Sequence, residues 1–221
     1  MNAVRVMLSM MAVGAVAAAA CSPSGADEWE EGQSYGQWRL AYHGHGSVSG
    51  DDEEVVMVPK SADSLDATHA SLVLTNVNLA DDIDFSVTLR TEDQVRKDPP
   101  NAWEVGWVLW NYRNDEHFYA LALKPNGWEL SKQDPAYPGN QRFLASGDHP
   151  TFPLNEDHRA RITQQGNTIT VYAEDVRLAT FTDEETPYYS GAVGLYTEDA
   201  EVRFRDLDIR RGQQTSAVEQ P

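Results

Sequence analysis

The sequence has a single cysteine, few basic residues and no apolar run long enough to span a membrane as a helix. One cysteine in 221 residues excludes an internal disulfide bond. The longest uncharged apolar stretch covers residues 6–20, whereas a membrane-spanning helix needs about 20 residues. The 17 basic residues stand against 35 acidic ones, and the net charge of −18 argues against nucleic acid or another polyanion as a partner.

Sequence motifs of common enzyme classes and the pattern of amphipathic helices are also missing. The sequence contains no P-loop, dinucleotide fingerprint, nucleophile elbow or zinc-binding Cys-x-x-Cys. No window of 11 or more residues repeats apolar side chains at the spacing of a packed helix. These absences predict an all-β chain whose function must be sought in side chains carried on strands.

The first 21 residues have the layout of an export signal. A positive charge at Arg5 precedes the apolar run, which ends in the small residues Ala18-Ala19-Ala20 before Cys21. This resembles a bacterial lipobox, although alanine at position 18 replaces the commoner leucine; ordinary secretion with an unrelated cysteine is the alternative. We predict a cleaved signal over residues 1–20, a lipid such as palmitate on Cys21, and a flexible tether over residues 21–36. The domain would then be anchored to the cell membrane or the outer membrane, outside the cytoplasm.

From Trp38 onward, short runs of alternating apolar and polar residues predict strands. The clearest run is Ile83–Arg90, in which Ile83, Phe85, Val87 and Leu89 share one face. A second strand is predicted at residues 71–77, and residues 92–102 and 134–153 are interpreted as loops.

About ten such strands around one core leave a two-sheet sandwich or a closed barrel. Large residues on both faces of Glu104–Tyr112 favour the sandwich. We therefore predict a single antiparallel two-sheet β-sandwich over residues 37–210 and a disordered tail over residues 211–221.

The C-terminal half carries a family resemblance over residues 71–209. Its segments Gly127-Trp128-Glu129-Leu130 and Gly191-Ala192-Val193-Gly194-Leu195-Tyr196, followed by Glu201–Asp206, resemble the concanavalin A-like jelly rolls of the 3-keto-disaccharide hydrolase-like and laminin G-like kind. The resemblance implies a jelly-roll sandwich whose concave sheet contacts carbohydrate. A bulge near Asp206 is expected, because it keeps the last strand in phase. Many domains of this fold bind sugars without cutting them, and fold alone does not fix function.

Aromatic and polar side chains are dense between Trp103 and Glu129. Sugar sites combine flat rings with carboxylates and amides, because a sugar has apolar C–H faces and hydroxyl edges. The predicted ligand-contacting residues are Trp110, Asn111, Tyr112, Tyr119 and Trp128. The alternative for each aromatic residue is a place in the core between the sheets. Trp107, in phase with Val105 and Leu109, is interpreted as such a core residue.

Two carboxylates, Glu104 and Glu129, form a candidate catalytic pair for a glycoside hydrolase or lyase. Glycoside hydrolysis needs two carboxyl groups about 5 to 9.5 Å apart. Retaining hydrolases of this fold usually carry both on one strand, and no such run is present. Carbohydrate binding is therefore the first hypothesis, catalysis the alternative, and a non-catalytic structural or interaction protein of the envelope the second alternative.

Acidic clusters at the ends of predicted strands raise the question of a metal. Calcium prefers six to eight oxygen ligands. The family resemblance implies a structural calcium near the last strand, with Asp206 as a ligand. A solvated acidic face is the alternative reading of these clusters. His43 and His45, in a glycine-rich segment, are interpreted as exposed rather than metal-binding.

Overall fold

The computed structural model describes residues 28–64, 67–96 and 99–216. The predicted signal and Cys21 lie outside these residues. Within them, regular structure is almost entirely β. The elements are β1 (Ser34–Tyr35), β2 (Trp38–His43), β3 (Ser47–Gly50), β4 (Glu54–Val58), β5 (Ala70–Gln94), β6 (Gly106–Asn114), β7 (His117–Lys124), β8 (Gly127–Gln133), a 3-10 turn (Pro138–Asn140), β9 (Gln141–Gly147), β10 (His158–Gln165), β11 (Thr168–Ala173), β12 (Val176–Thr182), β13 (Ser190–Glu198) and β14 (Ala200–Ser216).

The strands form two antiparallel sheets that pack face to face as a jelly-roll sandwich. The first sheet runs in the order β1-β2-β5-β13-β6-β7-β8-β9, and the second in the order β12-β11-β10-β5-β14-β4-β3. The predicted all-β, two-sheet fold is confirmed. None of the helices in the described part of the chain is long and apolar enough to cross a membrane.

Strand β5 belongs to both sheets. Its first half, Ala70–Ala80, pairs with β13, and residues 83–89 pair with β10. Between the halves, Asp81 has a φ of +62°, which interrupts the extended backbone. The sequence predicts two separate strands here, whereas the structure has one continuous strand that links the sheets.

The main core fills the space between the two sheets. Ile83, Phe85, Val87 and Leu89 are at most 2% exposed, which confirms the alternation read from the sequence. They pack with residues of the first sheet, among them Trp110. Each fully buried side chain of this size contributes about 1.5–3 kcal/mol to folding.

Several boundaries differ from the sequence-based prediction. Trp29 is buried and stacks on Tyr35 with ring centroids 4.7 Å apart, so the part of the predicted tether from residue 28 to 36 is packed on the domain. β14 continues to Ser216, into the predicted tail, and β9 lies inside the predicted loop 134–153. β9 and the polar end of β14 are held by pairing with β8 and β5, which the sequence pattern does not reveal.

The predicted bulge near Asp206 is present. The register of β14 against β5 shifts between Arg205 and Asp208, and Asp206 has a φ of +55°. The extra residue returns Ile209 to a place beside the core.

Candidate functional site

The first sheet has a second apolar face, directed away from the other sheet. We call it the outer face; its buried residues form a cluster separate from the main core: Leu72, Leu74, Val105, Trp107, Leu109, Ala120, Ala122 and Ala192. Trp107 pairs with Tyr196 on β13 and with Ala122 on β7, and directly paired residues share a face. The outer face therefore joins aromatic rings from adjacent strands.

A bulge in β6 adds a further ring to the outer face. Asn111 has a φ of +50°, and the pairing of β6 with both neighbours changes register around it. Strict alternation would put Tyr112 on the inner face with Trp110. The extra residue reverses the phase, so Tyr112 packs against the outer-face cluster and stacks on Phe118.

The outer face contains a pocket of about 190 Å³, which we call the outer-face pocket. Its lining residues are Tyr42, Trp107, Leu109, Tyr112, Asp115, Phe118, Gln133, Gln141, Tyr196 and Glu198. The volume is below the roughly 300–1,000 Å³ of sites for drug-sized ligands. It suits one small ring, or one unit of a longer chain that extends beyond the pocket.

Tyrosine hydroxyls in the pocket donate hydrogen bonds to two carboxylates. Tyr196 donates to Glu198 at 2.6 Å, and Tyr112 donates to Asp115 at 2.8 Å. Tyr42 donates a longer bond of 3.4 Å to the same Asp115 oxygen. These bonds fix the orientation of the rings and leave carboxylate oxygens as acceptors for a ligand.

Glu198 has an unusual electrostatic environment. Burial raises the pKa of its carboxyl group, and the negative charges of Asp199 and Glu104 raise it further, against the opposing effects of the Tyr196 hydrogen bond and Arg96. A carboxyl group with a raised pKa that lines a pocket is a candidate for proton transfer or ligand binding.

Behind Glu198 lies a buried ion-pair cluster of Arg96, Glu104 and Asp199. Arg96 forms ion pairs with Glu104 and, at 2.8 Å, with Asp199; all three side chains are at most 5% exposed. Arg96 also donates to the backbone carbonyls of Ser64 and Ala67. The cluster ties the segment between β5 and β6 to Asp199, the residue next to Glu198, and none of its three residues lines the pocket.

Three of the predicted ligand-contacting aromatics lie in the main core instead. Trp110 and Tyr119 are 0% exposed and Trp128 is 6% exposed, all three on the inner face. Trp110 donates to Gln164, and the Tyr119 hydroxyl donates to Asp183, which also binds Lys132. Their assignment as ligand contacts is wrong in this structure, because all three rings belong to the core between the two sheets.

Trp107 is buried, at 9% exposure, as the sequence predicts, but it belongs to the outer-face cluster and not to the core between the sheets. Alternation groups Trp107 with Val105 and Leu109, as the sequence indicates, but this group is on the outer face. Of the other two predicted contacts, Tyr112 lines the pocket. Asn111 is 1% exposed and donates to Gln164 and to the Tyr188 carbonyl, so it holds the bulge.

The proposed catalytic pair is not assembled. Glu104 is 0% exposed and bound to Arg96, so its carboxylate cannot meet a substrate. Glu129 is on the outer face, paired with Ala122, but its carboxylate binds Lys124 at 2.8 Å and does not line the pocket. Two separate ion pairs therefore occupy these groups.

Asp206 is exposed at the bulge of β14, and Arg205 approaches its carboxylate at 3.5 Å. Over the described ranges, no group of three or more histidine, cysteine, aspartate or glutamate residues is arranged to hold a metal ion. The calcium expected there stays a prediction.

Sequence reasoning did not select Tyr42, Asp115, Tyr196 and Glu198 as site residues. Tyr196 and Glu198 follow Gly194 at a spacing of two, so a shared face was readable. That β13 lies beside β6, with Tyr196 opposite Trp107, depends on long-range strand order.

The fold and the pocket define a jelly-roll β-sandwich with an acidic, aromatic site on the outer face of one sheet. The chain belongs to the family of the 3-keto-alpha-glucoside-1,2-lyase-like domain, which matches residues 25–210. The predicted family resemblance is thereby confirmed. Among curated proteins, none matches the sequence.

Solved structures share the fold at low sequence identity. The carbohydrate binding module CBM66 from Bacillus subtilis is similar with a TM-score of 0.61 and 13% identity, over 80% of this chain and 97% of that one. A protein with a galectin-like fold from Bacillus subtilis has a TM-score of 0.53 and 12% identity, over 81% and 90% of the chains. The VIP36 exoplasmic/lumenal domain in its Ca2+/Man3GlcNAc-bound form has a TM-score of 0.53 and 12% identity, over 83% and 86%.

Proposed function

We propose that this chain binds carbohydrate in the outer-face pocket. The observation that carries the proposal is the arrangement of Trp107 and Tyr196, which meet edge to face at 5.7 Å beside the carboxylate of Glu198. Flat rings suit the apolar faces of a sugar, and the carboxylates of Glu198 and Asp115 suit its hydroxyl groups. Two similar structures, a carbohydrate binding module and a Man3GlcNAc-bound domain, support this use of the fold.

Tryptophan substitutions in the purified domain test the binding proposal. A glycan array identifies a ligand, and calorimetry then measures the affinity of the wild type, Trp107→Ala and Trp103→Ala. Trp103 is the matched control, because its side chain is 45% exposed and does not line the pocket. We expect Trp107→Ala to lose more than about tenfold in affinity, the equivalent of about 1.4 kcal/mol, and Trp103→Ala to bind normally. Equal affinity of both variants would place the ligand elsewhere.

A second candidate function is elimination on a 3-keto glucoside, as the family name indicates. A base removes the proton at C2, which the neighbouring ketone acidifies; C1=C2 forms while the C1–O bond breaks, and the departing oxygen takes a proton. The observation that favours this chemistry is Glu198, a pocket carboxyl group whose pKa is raised by burial. Such a group can accept the C2 proton and return it to the leaving alcohol.

The lyase proposal is tested with methyl 3-keto-α-glucoside, whose elimination product is a conjugated enone that absorbs ultraviolet light. We expect turnover by the wild type and a loss of about 10²–10⁴-fold in Glu198→Gln, the usual range for one acid–base group. Glu129→Gln is the control, because Glu129 is held by Lys124 outside the pocket lining. If the wild-type protein shows no turnover, the lyase proposal fails and only the binding proposal remains. If no glycan binds either, the non-catalytic envelope protein remains.

We also propose that a lipid on Cys21 holds the domain at a membrane outside the cytoplasm. The support is the small residues Ala18-Ala19-Ala20 directly before the cysteine. Cells that express the wild type or Cys21→Ala are grown with labelled palmitate and fractionated. We expect label and membrane association only with the cysteine present, and equal labelling of the variant would reject the proposal.

A further inference from the structure

The charge of the outer-face pocket is one-sided. Apart from its tyrosines, the ionisable side chains that line it are the carboxyl groups of Asp115 and Glu198, and none of the described lining residues is lysine, arginine or histidine. The chain as a whole carries a net charge of −18. Among these lining residues, an anionic ligand would find no partner of opposite charge.

The pocket also offers many acceptors and few donors. The hydroxyl protons of Tyr42, Tyr112 and Tyr196 are already donated to the two carboxylates. Gln141 donates one of its two amide N–H groups to Ser131, which leaves its second N–H and the Gln133 amide as the side-chain donors to a ligand. A ligand must therefore supply N–H or O–H groups, and an ammonium group supplies three while accepting none.

In the surroundings of Glu198, negative charge outweighs the positive charge of Arg96. Behind Glu198 stand Glu104 and Asp199, and within this buried cluster Arg96 is the positive group that binds them both. Arg96 thus faces three carboxyl groups and forms ion pairs with two of them. Burial, together with the negative charges of Asp199 and Glu104, raises the pKa of Glu198. A bound cation would stabilise the charged form of this carboxylate.

Aromatic rings complete a setting suited to a cation. Trp107, Tyr42, Tyr112 and Tyr196 all line the same pocket as the carboxylates. The faces of such rings attract ammonium groups by about 0.5–1 kcal/mol at exposed sites, and by about 2 kcal/mol when the cation is desolvated. Rings that serve as a sugar platform therefore also favour a positively charged sugar.

We infer that the outer-face pocket selects amino sugars, with the ammonium group of a hexosamine bound to the carboxylate of Glu198, over neutral and acidic sugars. This inference rests on the proposed carbohydrate binding at the same site. A hydroxyl and an ammonium group can both donate to this carboxylate, but the ammonium adds an attraction between opposite charges, for which we expect an affinity about tenfold higher for the amine.

Calorimetry with four sugars on one scaffold tests the selection: glucosamine, glucose, N-acetylglucosamine and glucuronic acid. We expect glucosamine to bind about tenfold more tightly than glucose, N-acetylglucosamine to resemble glucose, and glucuronic acid not to bind. In Glu198→Gln the ratio of the glucosamine and glucose affinities should fall to about one. The exposed Asp115→Asn, which removes a pocket charge at the surface, should lower the same ratio in part.

The possible failures are distinguishable. If none of the sugars binds, the proposed carbohydrate function fails, and the inference with it. If glucose binds as tightly as glucosamine, or if glucuronic acid binds, carbohydrate binding stands and the selection for amino sugars is refuted. Choline is the non-sugar cation control, and affinity equal to that of glucosamine would refute the role of the sugar ring.

Discussion

The buried cluster of Arg96, Glu104 and Asp199 allows a direct test of how the site is held together. Replacing Arg96 with methionine keeps most of the side-chain volume but leaves two fully buried carboxylates without their cation. It also leaves the carbonyls of Ser64 and Ala67 without their donors. Because a lone charge inside a protein is costly, Arg96→Met should destabilise the domain strongly.

The magnitude follows from the burial of all three side chains. Breaking a buried ion pair by removing one partner costs about 3–5 kcal/mol, because the remaining charge is uncompensated. For a domain of this size, 1 kcal/mol shifts the Tm by about 2–4 °C, so the expected loss is about 6–20 °C. The double variant Arg96→Met with Glu104→Gln should be more stable than Arg96→Met alone, since one stranded charge is removed.

Urea denaturation followed by tryptophan fluorescence gives the free energy of unfolding of each variant. Arg159→Met is the matched control, because its ion pair with Asp175 is exposed at 37% and 72% and should contribute about 0–1 kcal/mol. A loss for Arg96→Met no larger than that of the control would refute the reasoning. A double variant with a lower free energy of unfolding than Arg96→Met alone would also refute it.

Three further predictions concern the core, the bulge and the pH response. Trp110→Ala should lower the free energy of unfolding by about 3–5 kcal/mol, measured in urea, because the ring fills the space between the sheets; a loss below about 1 kcal/mol would contradict its burial. Gly191→Ala should lower the Tm measured by circular dichroism, because the added Cβ would lie 2.3 Å from the carbonyl carbon of Asn111 at a φ of +154°; an unchanged Tm would contradict this close approach. The pKa of Glu198 is raised in the folded state, so the folded protein binds this proton more tightly than the unfolded chain does. The contribution of Glu198 to the free energy of unfolding therefore falls as the pH rises above about 4.5. Glu198→Gln removes this component, so in urea titrations from acidic to neutral pH the wild type should lose stability relative to the variant, and a parallel course of the two would refute the assignment.

Much of the fold was predictable because strand alternation is a local property. Ile83, Phe85, Val87 and Leu89 share a face in the sequence and are buried together in the structure. The Pro-Asn-Gly sequence at residues 125–127 is typical of a turn between antiparallel strands, and it joins β7 to β8 with Gly127 at a φ of +127°. The long strand β5 was not predictable as one element, since its continuity depends on pairing with different partners along its length.

The candidate site was predictable only in part. The grouping of Trp107 with Val105 and Leu109 followed from alternation, but both faces of β6 are apolar, and the sequence does not say which face meets the second sheet. Tyr112 was selected for its chemistry and does line the pocket, although it reaches the outer face through a bulge that the sequence did not reveal. Asp115 is distant in the chain from Tyr196 and Glu198, and strand order brings them together.

The amino-acid sequence by itself determined the all-β class, the family, the acidic charge and the period-two pattern of each strand, because these depend on composition and on neighbours a few residues apart. Only the tertiary structure decided that Trp110 lies between the sheets and Trp107 on the outer face, that Glu104 is neutralised by Arg96, and that Glu198 joins the aromatic pocket. The physical reason is that a side chain on a two-faced strand takes its role from the sheet packed against it, and that packing is set by pairings between distant segments.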